Sequence, residues 1–222
     1  MNMIKKFPSV LILLSFACAP APVRRDEIKT DQAVIQSLRE GNIRFTSHQR
    51  VYPRQDHGRL MELAKGQAPG VVLVSCSDSR IPPEAVFDQG LGDVFSVRTA
   101  GHVLETASIA SIEYAVEVLG ASVVMVMGHS SCGAVKAAAA SKKGVSSGSK
   151  NLDQLIQRIQ PNLKKRSQSD PDYTLAAEDQ VDGTISYLKA NSPLIRERVL
   201  QGKVKMVSAL YDVATGEVEL WQ

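Results

Sequence analysis

Two short apolar runs constrain this chain most. Val71-Val72-Leu73-Val74 leads into Ser75-Cys76-Ser77-Asp78-Ser79-Arg80, and Val123-Val124-Met125-Val126-Met127 leads into Gly128-His129-Ser130-Ser131-Cys132-Gly133. Neither run alternates apolar with polar residues, and both are short. They read as strands of a parallel sheet, buried on both faces. If they are neighbours, their C-terminal ends converge at the edge where open α/β sheets place ligands. Two thiols and one imidazole then meet. Zinc prefers such donors, and three protein ligands leave a fourth position open for chemistry. Buried free thiols are common in cores and are the plain alternative for the cysteines alone. A histidine beside them, with Asp78 and Arg80 adjacent, weighs against it. Two residues apart on a strand end, Asp78 and Arg80 are expected to point the same way and pair, which keeps the carboxylate ionised and fixed.

The rest of the chain alternates between helical and extended patterns. Thr30 or Asp31 caps a helix through Val34 and Leu38 towards Phe45, with Gly41-Asn42 expected to interrupt or end it. Residues 46–56 read as a loop and Leu60 to Lys65 as a short helix. Pro82-Pro83-Glu84 starts a helix, since proline suits the first turn. Val94 to Val97 is a strand. Glu105 to Leu119 has helical spacing and Gly120 stops it. Ala134 to Ala140 is a helix and Ser141 to Lys150 a flexible loop. Leu152 to Leu163, Leu175 to Ala190 and Pro193 to Leu200 are helices. Val204 to Tyr211 and Val218 to Trp221 form a closing hairpin. The class is therefore α/β: a mostly parallel four-stranded sheet with an added C-terminal antiparallel strand, flanked by helices.

The 222 residues suit one such domain, over residues 30–222, preceded by an export segment. The net charge of +3 is small and dispersed, which argues for no nucleic-acid partner. Residues 1–25 carry Lys5-Lys6, an apolar stretch from Val10 to Ala17, and then small residues, the pattern of a signal peptide running into a linker. The segment also resembles a bacterial lipoprotein signal with Cys18 as the lipidated residue, although Ser15 stands where an aliphatic residue is usual. The expected location is the periplasm or cell envelope, with a lipid anchor at Cys18 as one form of it. Two of the three cysteines belong to the candidate metal set, so no disulfide framework is expected.

Cys76-Ser77-Asp78-Ser79-Arg80 and Gly128-His129-Ser130-Ser131-Cys132-Gly133 resemble the two signature motifs of the β-class carbonic anhydrases, plant-like subgroup. The likeness runs from about residue 31 to 221 and includes Phe87-Asp88-Gln89-Gly90-Leu91-Gly92-Asp93 and Arg98-Thr99-Ala100-Gly101-His102. The resemblance implies one Zn2+ per subunit, on Cys76, His129 and Cys132. It implies reversible hydration of CO2 to bicarbonate and a proton by zinc-bound hydroxide. Asp78, held by Arg80, accepts the hydrogen bond of that hydroxide, or serves as a fourth ligand in a closed state. Gln67, Phe95, Tyr114 and the Gly133 backbone match positions around the substrate, Phe95 reaching in from a partner subunit. The family also implies a homodimer or higher homo-oligomer. Two alternatives keep the fold: action on carbonyl sulfide or carbon disulfide, or non-catalytic bicarbonate or zinc binding. His102 and His57 are candidate proton relays because imidazole titrates near pH 6.5.

Overall fold

A computed structural model describes residues 30–142, 146–164 and 173–221. The export segment and Cys18 lie outside the described residues. Five strands form one sheet: β1 (Val71–Cys76), β2 (Val94–Thr99), β3 (Val123–His129), β4 (Lys205–Tyr211) and β5 (Val218–Trp221), in the order β2-β1-β3-β4-β5. The first four are parallel and β5 closes antiparallel on β4. The sheet class read from the sequence is the one observed.

The unbroken apolar character of β1 and β3 follows from their place. Every residue of both strands is buried. On one face Val71, Leu73, Val123 and Met125 pack with Val34 and Leu38 of α1 (Asp31–Thr46) and Val135 of α5 (Gly133–Ala140). On the other, Val72, Val74, Val124 and Val126 pack with Ile109 and Ile112 of α4 (Thr106–Glu117), Val181 and Leu188 of α7 (Thr174–Asn191), and Ile195 of α8 (Pro193–Leu200). Burying one such side chain contributes about 1.5–3 kcal/mol, so a strand covered on both faces has no use for polar positions. Three further helices complete the layers: α2 (His57–Leu63), α3 (Pro83–Val86) and α6 (Lys150–Ile159).

Two departures from the sequence reading have a visible physical cause. Gly41-Asn42 does not interrupt α1. A side chain at Gly41 would place its Cβ 1.7 Å from the Phe87 carbonyl oxygen, so glycine there permits close helix approach rather than a break. Asn42 is buried and bridges three segments: its Nδ2 donates to the carbonyls of Val86 (3.2 Å) and Gly216 (2.9 Å), and its Oδ1 accepts from Val218 N–H (2.9 Å). Helix α2 begins earlier than expected because the Asp56 carboxylate accepts the Arg59 N–H at 2.9 Å, an N-cap the apolar pattern alone did not locate.

Candidate metal centre

β1 and β3 are direct neighbours, with Ser75 paired opposite Met127. Their C-terminal ends therefore reach the same edge. Cys76 is the last residue of β1 and His129 the last of β3. Cys132 is the N-cap of α5, delivered by a tight turn in which Ser131 is left-handed at φ 56°. The turn is pinned from β4: Ser130 N–H donates to the Tyr211 carbonyl at 2.9 Å, and Ser130 Oγ accepts from Val213 N–H at 3.0 Å.

All three side chains are buried, and their ligand atoms lie within 4.8 Å of one another. His129 Nδ1 sits 3.0 Å from the Ser130 carbonyl, an acceptor only, so Nδ1 carries the proton and Nε2 presents a bare lone pair. That Nε2 is buried and has no hydrogen-bond partner. An orphaned buried acceptor costs free energy unless something binds it. The sulfurs make the same point. Cys76 is driven well below the ordinary thiol range, first by a hydrogen bond from Cys132, and also by the Gly101 N–H. Cys132 is pushed up by the anionic sulfur beside it and by burial. Side by side, the two buried thiols oppose each other's ionisation; a dication lets both ionise. The donor set fits zinc.

Asp78 and Arg80 do pair, but not as neighbours on a strand face. β1 stops at Cys76, and residues 78–81 form a turn, closed by Ile81 N–H on the Asp78 carbonyl, in which Arg80 N–H donates to Asp78 Oδ1 at 3.0 Å. The guanidinium then grips both carboxylate oxygens: Nε to Oδ1 at 2.9 Å and Nη2 to Oδ2 at 2.7 Å. This fork holds the Asp78 carboxyl below the usual carboxylate range. Asp78 Oδ2 lies 3.9 Å from His129 Nε2, beside the ligand atoms, with its oxygens turned to Arg80. Gly133 opens α5 immediately after Cys132, exposed, with open space where a Cβ would stand.

The remaining expected substrate residues are not brought to this edge. Gln67 is exposed in the loop before β1, at the opposite end of that strand. Phe95 pairs opposite Val72, near the start of β1. Tyr114 lies on α4, 48% exposed, and its ring centroid is 6.5 Å from that of Phe95. His57 is exposed at the start of α2, whereas His102 is buried. Arg98 was legible only as part of a motif. In the fold its Nε donates to the Cys76 carbonyl at 3.1 Å and its Nη2 to the Asp78 carbonyl at 2.6 Å, so it fixes the backbone carrying both residues.

Comparison with known proteins adds three findings. The profile of the family described as carbonic anhydrase matches residues 71–218. Among curated proteins, the carbonic anhydrase of Mycolicibacterium smegmatis is 38% identical over 191 residues, covering 85% of this chain and 92% of that protein. Carbonic anhydrase 2 of Mycobacterium tuberculosis is 40% identical over 190 residues, covering 85% and 91%. Among solved structures, the β-carbonic anhydrase CcaA superposes with a TM-score of 0.66 at 25% identity over 85% of this chain and 84% of that one. CafA of Aspergillus fumigatus gives 0.65 at 26% identity over 86% and 89%.

Proposed function

The chain belongs to the β-class carbonic anhydrase family, and from that premise we infer which of its residues carry the zinc-dependent, reversible hydration of CO2. The observation that carries the assignment is the buried Cys76–His129–Cys132 cluster, with the bare Nε2 of His129 turned into it and a locked carboxylate alongside.

Cys76, His129 and Cys132 would hold the ion. Zinc, when bound, is the Lewis acid that makes water a nucleophile near neutral pH. Asp78 orients that nucleophile. With its carboxyl held below the ordinary range by Arg80, it stays ionised and acts as an acceptor only. It accepts the hydrogen bond of the attacking water and turns a lone pair towards CO2. It retains no proton at neutral pH, so the released proton passes on to buffer. Arg80 supplies the fixed angle and Arg98 the fixed backbone. The engagement of both Asp78 oxygens by Arg80 supports an open resting arrangement, in which Asp78 is not a fourth ligand. Gly133 offers an open approach for substrate beside Cys132.

We place Gln67, Phe95 and Tyr114 around the substrate of a second copy of the chain. Their separation from the chain's own ligands, and the exposure of Tyr114, support a homodimer as the minimal unit. The signal-like residues 1–25 support export to the periplasm or envelope, with Cys18 as a lipid attachment point. Neither the sulfur-substrate reading nor the non-catalytic reading is favoured, since the ligand set, Asp78 and Arg80 are intact.

Stopped-flow CO2 hydration by the zinc-loaded protein, beside Asp78→Ala, tests the assignment. The wild type is expected to turn over with activity rising with pH. Asp78→Ala is expected to retain stoichiometric zinc and lose about 100-fold or more in kcat. An Asp78→Ala variant as fast as wild type would remove Asp78 from the mechanism. An inactive wild type with zinc bound would remove the assignment itself.

A further inference from the structure

The metal cluster has a neighbour on its protein side that the catalytic roles above leave unused. After β2 the chain turns through Ala100–His102, where Gly101 (φ 58°, ψ 25°) and His102 (φ 43°) are both left-handed. Such backbone persists in a non-glycine residue only where its surroundings over-determine it. A Cβ at Gly101 would stand 2.8 Å from Ile159 Cδ1 and 3.1 Å from Ala134 Cβ, so the turn is packed tightly on that side. The Gly101 N–H donates to the Cys76 sulfur at 3.3 Å.

Two residues one turn apart on α7 grip this segment. Gln180 Nε2 donates to the Gly101 carbonyl at 3.0 Å and lies 3.3 Å from Thr184 Oγ1. Thr184 Oγ1 is hydrogen-bonded to His102 Nδ1 at 3.0 Å. Gln180 is itself held by Asn162, whose Nδ2 donates to Gln180 Oε1 at 2.8 Å. Gln180, Thr184 and His102 are all buried, so each bond is made without competition from bulk water.

We propose that Gln180 and Thr184 are positioning residues for the reaction: they clamp the left-handed Gly101–His102 turn so that the Gly101 N–H stays on the Cys76 sulfur. A hydrogen bond to a thiolate draws charge from the sulfur and fixes its orientation. Such outer partners tune both the affinity for a metal and its acidity. The inference rests on Cys76 being a zinc ligand. Without the clamp the turn relaxes, the sulfur gives more charge to the metal, and the metal becomes a weaker acid.

The test uses the full holoenzyme with cobalt in place of zinc, together with zinc affinity from chelator competition. Gln180→Leu is expected to move the sulfur-to-cobalt charge-transfer band to longer wavelength. Loss of the sulfur's fixed orientation should also weaken zinc binding about 10-fold, and its greater charge donation should raise the pH midpoint of kcat. Thr184→Val should move all three in the same direction by less, and Thr184→Ser should restore them. Leu188→Ala, a buried substitution on the same helix within the apolar cluster of Val72, Val74 and Ile112, controls for general destabilisation and should leave the band in place. A wild-type band and wild-type zinc affinity in Gln180→Leu would overturn the proposal, as would an equal shift in Leu188→Ala. Should Gln180→Leu fail to fold, the Thr184 pair decides: a wild-type spectrum in Thr184→Val overturns it. A wild-type protein that takes up neither metal defeats the metal-site reading first, an outcome distinct from a metal-loaded enzyme indifferent to Gln180.

Discussion

The two ends of the parallel strands hold different amounts of a site. At the C-terminal end of β1 and β3, Cys76, His129 and Cys132 are buried together, with Asp78, Arg80 and Arg98 already locked around them. Gly101, His102 and Ser131 are left-handed beside the ligands. At the other end, Phe95 and Tyr114 touch each other, with Tyr114 largely open to solvent. Phe95 is level with Val72, four residues before Cys76, or about 13 Å along the strand. One end converges polar groups; the other presents aromatic surface outward. If the site is shared between two copies as proposed, a single chain carries a complete metal centre and an incomplete substrate cradle.

The largest expected effect tests the complete end. Cys132→Ser replaces a soft anionic ligand with a neutral hydroxyl and leaves two protein donors, too few to hold zinc. After gel filtration at neutral pH the variant should contain no zinc, and CO2 hydration should fall to the buffer rate. Stoichiometric zinc in this variant would place the metal elsewhere and dissolve the contrast.

The next effect tests the incomplete end. Phe95→Ala should keep its zinc and lose about 10-fold in kcat/KM through a poorer substrate cradle. Its location is decided by mixing subunits. In a heterodimer of Cys132→Ser with Phe95→Ala, one site inherits both defects and the other neither. Activity should therefore exceed the mean of the two parents once subunits have exchanged. A mixture that only averages its parents would return Phe95 to its own chain and remove the need for a partner.

The same contrast explains what could be read from the sequence. Ligand identity was legible because β1 and β3 are buried on both faces, which writes an unbroken apolar run ending at the functional residue. Sheet class followed from the same runs. The geometry of Asp78 and Arg80 was legible as a pair but not as a turn, since strand periodicity says nothing once the strand has ended. Gly41-Asn42 misled because glycine and asparagine signal a break locally, while here Phe87 and Gly216 supply tertiary reasons to keep the helix. Gln180 and Thr184 carry no local signal. They sit on a helix far along the chain and matter only because α7 crosses the strand ends, a fact of packing rather than pattern.

The smallest effect on turnover, and the most specific on folding, concerns His102 at the complete end. Burial, chiefly, lowers its pKa from 6.5 to about 4, so the folded protein keeps it neutral where an exposed histidine would protonate. The unfolded chain takes up that proton near its ordinary value. Stability from His102 is thus fully present above about pH 6.5 and is lost as pH falls towards about 4. The pKa span corresponds to about 3 kcal/mol across that window. His102→Gln keeps a polar partner for Thr184 but cannot titrate. Urea unfolding of both proteins at matched pH separates this histidine from carboxylates and metal release, which affect both alike. The wild type should lose about 3 kcal/mol relative to His102→Gln between pH 7 and about 4. Parallel stability curves would mean that His102 charges freely in the folded state. The cost of acid would then not be concentrated at the catalytic end of the sheet.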